Sequence, residues 1–170
     1  MGHTVAHMFR SITVLGLVVL SSGCRGGLSG DTFTRDGLSY RVVAPQGFRR
    51  AGFDDNDLAW VSNQGHVIGM NATCTGHEDP QLEVLTNHLV IGFTDREWLS
   101  KTRFQLDGRE AMRSLVRARL DGVPVSLDLV VLKKNGCVHD FTYASPTGLE
   151  AAHQADFDAL IAGFRQERAP

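Results

Sequence analysis

The chain has 170 residues, 42% of them hydrophobic and 21% charged, which is the make-up of a globular domain with its own core and excludes a disordered or fibrous chain. Its 17 basic and 19 acidic residues leave a net charge of -2, and no run of Lys or Arg supplies the positive field that a phosphate backbone requires, so no nucleic-acid partner is expected. Cys24, Cys74 and Cys137 are an odd count, leaving one thiol over once two have paired.

The N-terminus accounts for the odd one. Arg10 precedes an apolar run over residues 12–20, the length of a signal-peptide core and too short to cross a bilayer of roughly 30 Å as a helix. Leu20-Ser21-Ser22-Gly23-Cys24 follows, and it resembles the lipobox of bacterial lipoproteins, with Ser21 in the slot that family fills with Leu. The resemblance implies that Cys24 is lipidated and becomes the mature N-terminus. The alternative is ordinary signal cleavage nearby, leaving a free Cys24 on a periplasmic protein. Met8-Phe9-Arg10 offers a second start site beside Met1. Two or more acyl chains would anchor the protein durably, since each buried methylene contributes about 0.8 kcal/mol and one chain alone is marginal. Arg25 stands where an inner-membrane retention Asp would, so the lipobox resemblance favours the periplasmic face of the outer membrane. Residues 1–23 read as the signal peptide, 24–31 as a Gly- and Ser-rich tether, and 32–166 as one domain.

The domain opens on a hairpin turning at Asp36-Gly37, and Pro45 ends its second strand. Residues 58–62, with Trp60, and 67–74 read as two more strands, split by the turn residues Asn63 and Gly65. Asp79-Pro80 predicts a helix start, Asp79 as N-cap and Pro80 in the first helical position, with Leu82, Leu85 and Leu89 on one face up to Gly92. Residues 102–145 then read as four strands joined by Asp107-Gly108, Asp121-Gly122 and Asn135-Gly136, each turn flanked by alternating apolar residues. A second helix starts at Ser145-Pro146 or at a capping box from Thr147 to Glu150, and carries Phe157, Leu160, Ile161 and Phe164 at helical spacing.

Two-residue turns set the register: Ala118 faces Val125, Val116 faces Leu127, Met112 faces Val131 and Val130 faces Phe141. Met112, Val116, Leu127 and Val131 then share one face, while Leu106, Ala111, Val130, Leu132 and Phe141 share the other. A sheet that is apolar on both faces must be covered twice, so the expected fold is α+β, an α/β/α sandwich with one helix per side. At this point the chain resembles the PsbP-like fold. The likeness rests on the opening hairpin into Tyr40-Arg41-Val42-Val43-Ala44-Pro45-Gln46-Gly47-Phe48, on Leu106-Asp107-Gly108-Arg109-Glu110-Ala111, on residues 135–145 and on the last helix. It implies a non-catalytic assembly or accessory role and names no partner.

Cys74 and Cys137 lie on strands of an exported domain, where a disulfide is the first reading. The competing one is a metal site of Cys74, His77, Cys137 and His139, since residues 137 and 139 point to the same side of a strand. Arg113, Arg117, Asp128 and Tyr143 share one sheet face, with Asp128 opposite Tyr143 and diagonal to both arginines. They form either a ligand or partner face beside a helix, or a solvated ion-pair ladder. No nucleophile elbow, phosphate loop, zincin helix or dinucleotide fingerprint occurs, and His66 and His88 read as surface or helix-flank histidines in preference to catalytic bases. The expected function is therefore that of a non-catalytic, lipid-anchored envelope protein that joins a protein complex, with no cofactor. The alternative is a periplasmic carrier holding a small molecule, lipid or metal in the helix-sheet crevice.

Overall fold

The computed structural model describes residues 30–54, 56–75 and 79–168; the export segment and Cys24 lie outside them, as does His77. The strands are β1 (Gly30–Arg35), β2 (Leu38–Val43), β3 (Phe48–Ala51), β4 (Leu58–Ser62), β5 (Val67–Thr73), β6 (Thr94–Leu106), β7 (Arg109–Leu120), β8 (Val123–Lys134), β9 (Cys137–Pro146) and β10 (Arg165–Arg168). The helices are α1 (Leu82–His88) and α2 (Gln154–Gly163), the latter entered through a 3-10 turn at Glu150–His153.

Seven strands form the main antiparallel sheet in the order β3-β4-β5-β9-β8-β7-β6, and β1-β2-β10 form a separate small one. The expected turns make the meander: Asp121 and Gly122 both take positive φ, 50° and 81°, the left-handed pair whose twist matches that of the strands it joins. All four register pairs read from the turns are present. One helix covers each face, as the two apolar sets required. On one face Phe157, Leu160 and Ile161 of α2 and Phe164 just after it join Phe141, Val130, Leu132, Leu106 and Ala111, together with Tyr40 and Val42 of β2, in a single continuous core. On the other, Val90 packs with Val116, Ala118, Leu127 and Leu129, and Leu82 of α1 with Met112, Val131 and Val138, in two smaller clusters.

The structure adds to the sequence reading and departs from it in several places, among them strand β3 and the start of β6 at Thr94 in place of residue 102. The opening hairpin, whose sheet the sequence left open, lies with β10 beside α2, where a Cβ on Gly163 would come within 2.5 Å of Val43 Cγ2. Its first strand takes up Gly30 and Asp31, assigned above to the tether; Asp31 Oδ2 accepts from Trp60 Nε1 at 3.1 Å and pairs with Arg50 at 3.0 Å. Strand β10, four polar residues long, has no alternation to reveal it. Helix α1 begins later than Asp79, with Gln81 still extended (ψ 149°), because Lys133 Nζ holds Asp79 Oδ1 at 2.5 Å and the Pro80 carbonyl at 2.8 Å against β8. At the other end Pro146 stays in β9 opposite Val125, and Glu150 turns to Ser126 Oγ (2.7 Å) and closes no capping box, which delays α2 to Gln154.

Candidate functional site

Where the 3-10 turn leads into α2, Glu150 and Gln154 stand over the face of β7, β8 and β9. The result is a cleft of about 290 Å³, lined by Leu99 and Leu115, by the more exposed Arg117, and by Asp128, Tyr143 and Gln154. The two leucines are partly exposed, at 45% and 37%.

The polar quartet expected from the register is present on this face, but it is not a solvated ladder. Asp128 is 3% exposed and Tyr143 1%, and only Arg117 is open to solvent. Asp128 accepts from Arg113 Nε at 2.9 and 3.1 Å, from Arg113 Nη2 at 2.6 Å, and from Gln154 Nε2 at 2.9 Å. Arg113 also donates to Asp158 Oδ1 at 2.6 Å, which ties α2 to the sheet. These bonds, the one to Asp128 above all, hold the guanidinium more firmly charged than usual. Arg117 stands apart, 4.0 Å from Glu97. The structure thus joins two of the four, Arg113 and Asp128, in one network, sets Tyr143 beside them in a second one with His66 and Glu150, and leaves Arg117 at the rim with Glu97.

Residues to which the sequence reading gave no part in a site complete it. The Tyr143 hydroxyl lies 2.9 Å from His66 Nδ1 and donates to the Glu150 carbonyl at 3.2 Å, and burial pushes its phenol up from the ordinary range. His66 is not a surface histidine but fully buried, its ring centroid 4.8 Å from that of His153. Burial in the first place, and then His153, lower its pKa. His153 Nδ1 meets Asp156 Oδ2 at 3.0 Å. Ser126 donates to Glu150, whose carboxyl is thereby lowered. Ser126 could have been found, because the register sets it opposite Arg117. His66 could not, because its place depends on β5 pairing with β9 across a long connection.

The other expected constellation resolves as a disulfide. Cys74 and Cys137 are joined across 63 residues with Cα atoms 4.0 Å apart, so neither thiolate is left for a metal and the four-residue metal alternative falls. His139 is buried near the same strand start, 3.3 Å from Gln166 Oε1, and burial pushes its pKa down to about 4. Asp140, next in the chain, points to the α1 face and has its pKa pushed up to about 6 by burial. His88 is exposed on α1. Among the described residues no helix is long and apolar enough to cross a membrane.

No protein-family model matches the sequence, and no curated protein matches it. Solved structures define the class: the fold is PsbP-like. The chain is similar to the cyanobacterial PsbP protein CyanoP of Synechocystis sp. PCC 6803, with a TM-score of 0.58 and 13% identity over 88% of this chain and 99% of that one. It is also similar to LpqN of Mycobacterium tuberculosis, a protein involved in cell envelope biogenesis, with a TM-score of 0.59 and 11% identity over 81% of this chain and 90% of that one.

Proposed function

We propose that this chain is a lipid-anchored accessory of the bacterial cell envelope that binds a partner or ligand without transforming it, using the cleft at the end of α2. One observation carries the reading. The cleft's buried polar groups are paired with one another, Asp128 with Arg113 and Gln154, and Tyr143 with His66 and Glu150, which supports a part in shaping a binding surface. The fold shared with an envelope-biogenesis protein supports the compartment, as does the export signal ending at Cys24. Attachment would run through acylated Cys24, with residues 24–29 as the remaining tether.

The carrier reading is favoured by a different observation, the size of the cleft, which is near the lower bound for small-molecule sites. Pull-down from membranes with the full chain separates the two. A specific membrane complex that is lost with Leu115→Glu supports the accessory. A stoichiometric small molecule on native mass spectrometry of the released domain supports the carrier, and turnover of any substrate counts against both. Cys24→Ser should shift the protein from the membrane fraction to the soluble one, and retention in the membrane would sink the anchor.

A further inference from the structure

Three elements meet where the cleft is closed. His66 sits in the turn before β5, its backbone fixed by Ser62, whose N–H donates to the His66 carbonyl at 2.9 Å and whose Oγ accepts from the His66 N–H at 3.1 Å. Tyr143 comes from β9, and His153 from the 3-10 turn that also supplies Glu150 to the cleft wall. The His66 ring stacks on Tyr143 (5.8 Å between centroids, 19° between planes) and meets His153 edge-on at 4.8 Å and 75°. Its Nδ1 is bonded to Tyr143, but its Nε2 is buried with no hydrogen-bond partner. Among the described residues no carboxylate contacts His66. Asp156 of α2 is engaged with His153 and with the Gln46 N–H, and the Glu150 carboxylate with Ser126. Phe48 of β3 packs on the far side of His153 at 4.7 Å and carries no charge.

This arrangement accommodates His66 only as the neutral imidazole. A second proton would put an N–H on Nε2 where nothing accepts it, and a positive charge against the His153 ring packed on it. The 3-10 turn is the part that can yield. It is held to the sheet by the Tyr143 and Ser126 bonds and internally by short-range bonds such as Ala152 N–H to the Leu149 carbonyl at 3.1 Å.

We propose that His66 and His153 form a proton-operated latch, in which acidification drives the 3-10 turn off Tyr143 and opens the cleft wall. The direction follows from linkage: the closed turn excludes a proton that the open turn accepts, so acid favours the open form. As a control of binding the latch rests on the reading of the cleft given above; as a movement it does not.

Amide hydrogen exchange of the whole chain at about pH 7.5 and about pH 5, corrected for intrinsic rates, tests the movement. The amides of residues 151–154 are expected to lose protection by about tenfold in acid while those of β8 and β9 keep theirs, and His153→Gln is expected to hold the loss under about twofold. Unchanged protection of the turn in acid, or an equal loss in His153→Gln, overturns the latch. His153 is only half-buried, so that variant should fold, with near-ultraviolet circular dichroism as the check. Fluorescence of anilinonaphthalene sulfonate, with Leu115→Glu as the control for cleft uptake, reads the site itself. If the turn opens and dye uptake by the cleft is unaltered, the latch stands and the cleft reading falls.

Discussion

The two faces of the main sheet are held by different means. The α2 face buries one continuous cluster in which Tyr40, Phe141, Tyr143, Phe157 and Phe164 are all essentially inaccessible, closed by a ten-residue helix and the small sheet together. The α1 face relies on a seven-residue helix and two separate patches whose buried members carry no aromatic ring, Phe93 and Trp98 packing on one of them only partly buried. Neighbours on β9 show the contrast at the scale of a single peptide: His139 is packed among Tyr40 and Phe164, while Asp140 sits half-buried on the other side. Stability is thus concentrated on the α2 face, and so is the site built on it, because groups as polar as Asp128 and Tyr143 can be buried only where rigid packing keeps their partners in place.

Four measurements would break or sharpen that contrast. Phe157→Ala should cost about 3–5 kcal/mol in urea unfolding and loosen the cleft, as removal of a fully buried ring does when its surroundings cannot collapse. Asp140→Asn should act in the opposite direction. The carboxyl's pKa is near 6 in the folded chain against 3.8 as a free group, so the folded protein holds a proton the unfolded one releases; stability is lost as pH rises through that window. Removing the charge should recover up to about 3 kcal/mol at neutral pH. It should also unmask His139, which is neutral down to about pH 4 when folded but takes a proton from 6.5 downward when unfolded, so stability is lost as pH falls through that range. In the wild type the two slopes oppose; in Asp140→Asn stability should drop steadily on acidification, and a flat profile would refute the assignment. Val90→Ala should cost about 2 kcal/mol, less than the α2-face substitution, and an equal or larger loss would erase the contrast. Val123→Thr, at a 65% exposed hairpin position, should stay within about 0.5 kcal/mol of the parent.

What could be read from sequence follows the same division between local and distant chemistry. Asp-Gly and Asn-Gly turns state their geometry within a few residues, so β7, β8 and β9, their register and the side on which Asp128 lies were all legible. Strand β6 was found only in part, since its outer half is exposed on both faces, breaks register around Glu97 and Ser100, and offers no alternation. The delayed starts of α1 and α2 come from tertiary bonds, Lys133 to Asp79 and Ser126 to Glu150, that no local pattern encodes. The histidine pair was hidden for the same reason, its members 87 positions apart and joined only by the fold.

The small sheet also decides how the domain would bear load. Strand β2 lies between β1 and β10, with Gly30 beside Val43 at one end and Arg168 beside Leu38 at the other. A pull between Gly30 and the end of β10 would therefore strain the β1-β2 and β2-β10 ladders lengthwise, all their hydrogen bonds resisting at once, instead of opening them one after another. A domain held to a surface through its first strand and engaged through its last would be gripped along the direction in which such ladders yield least.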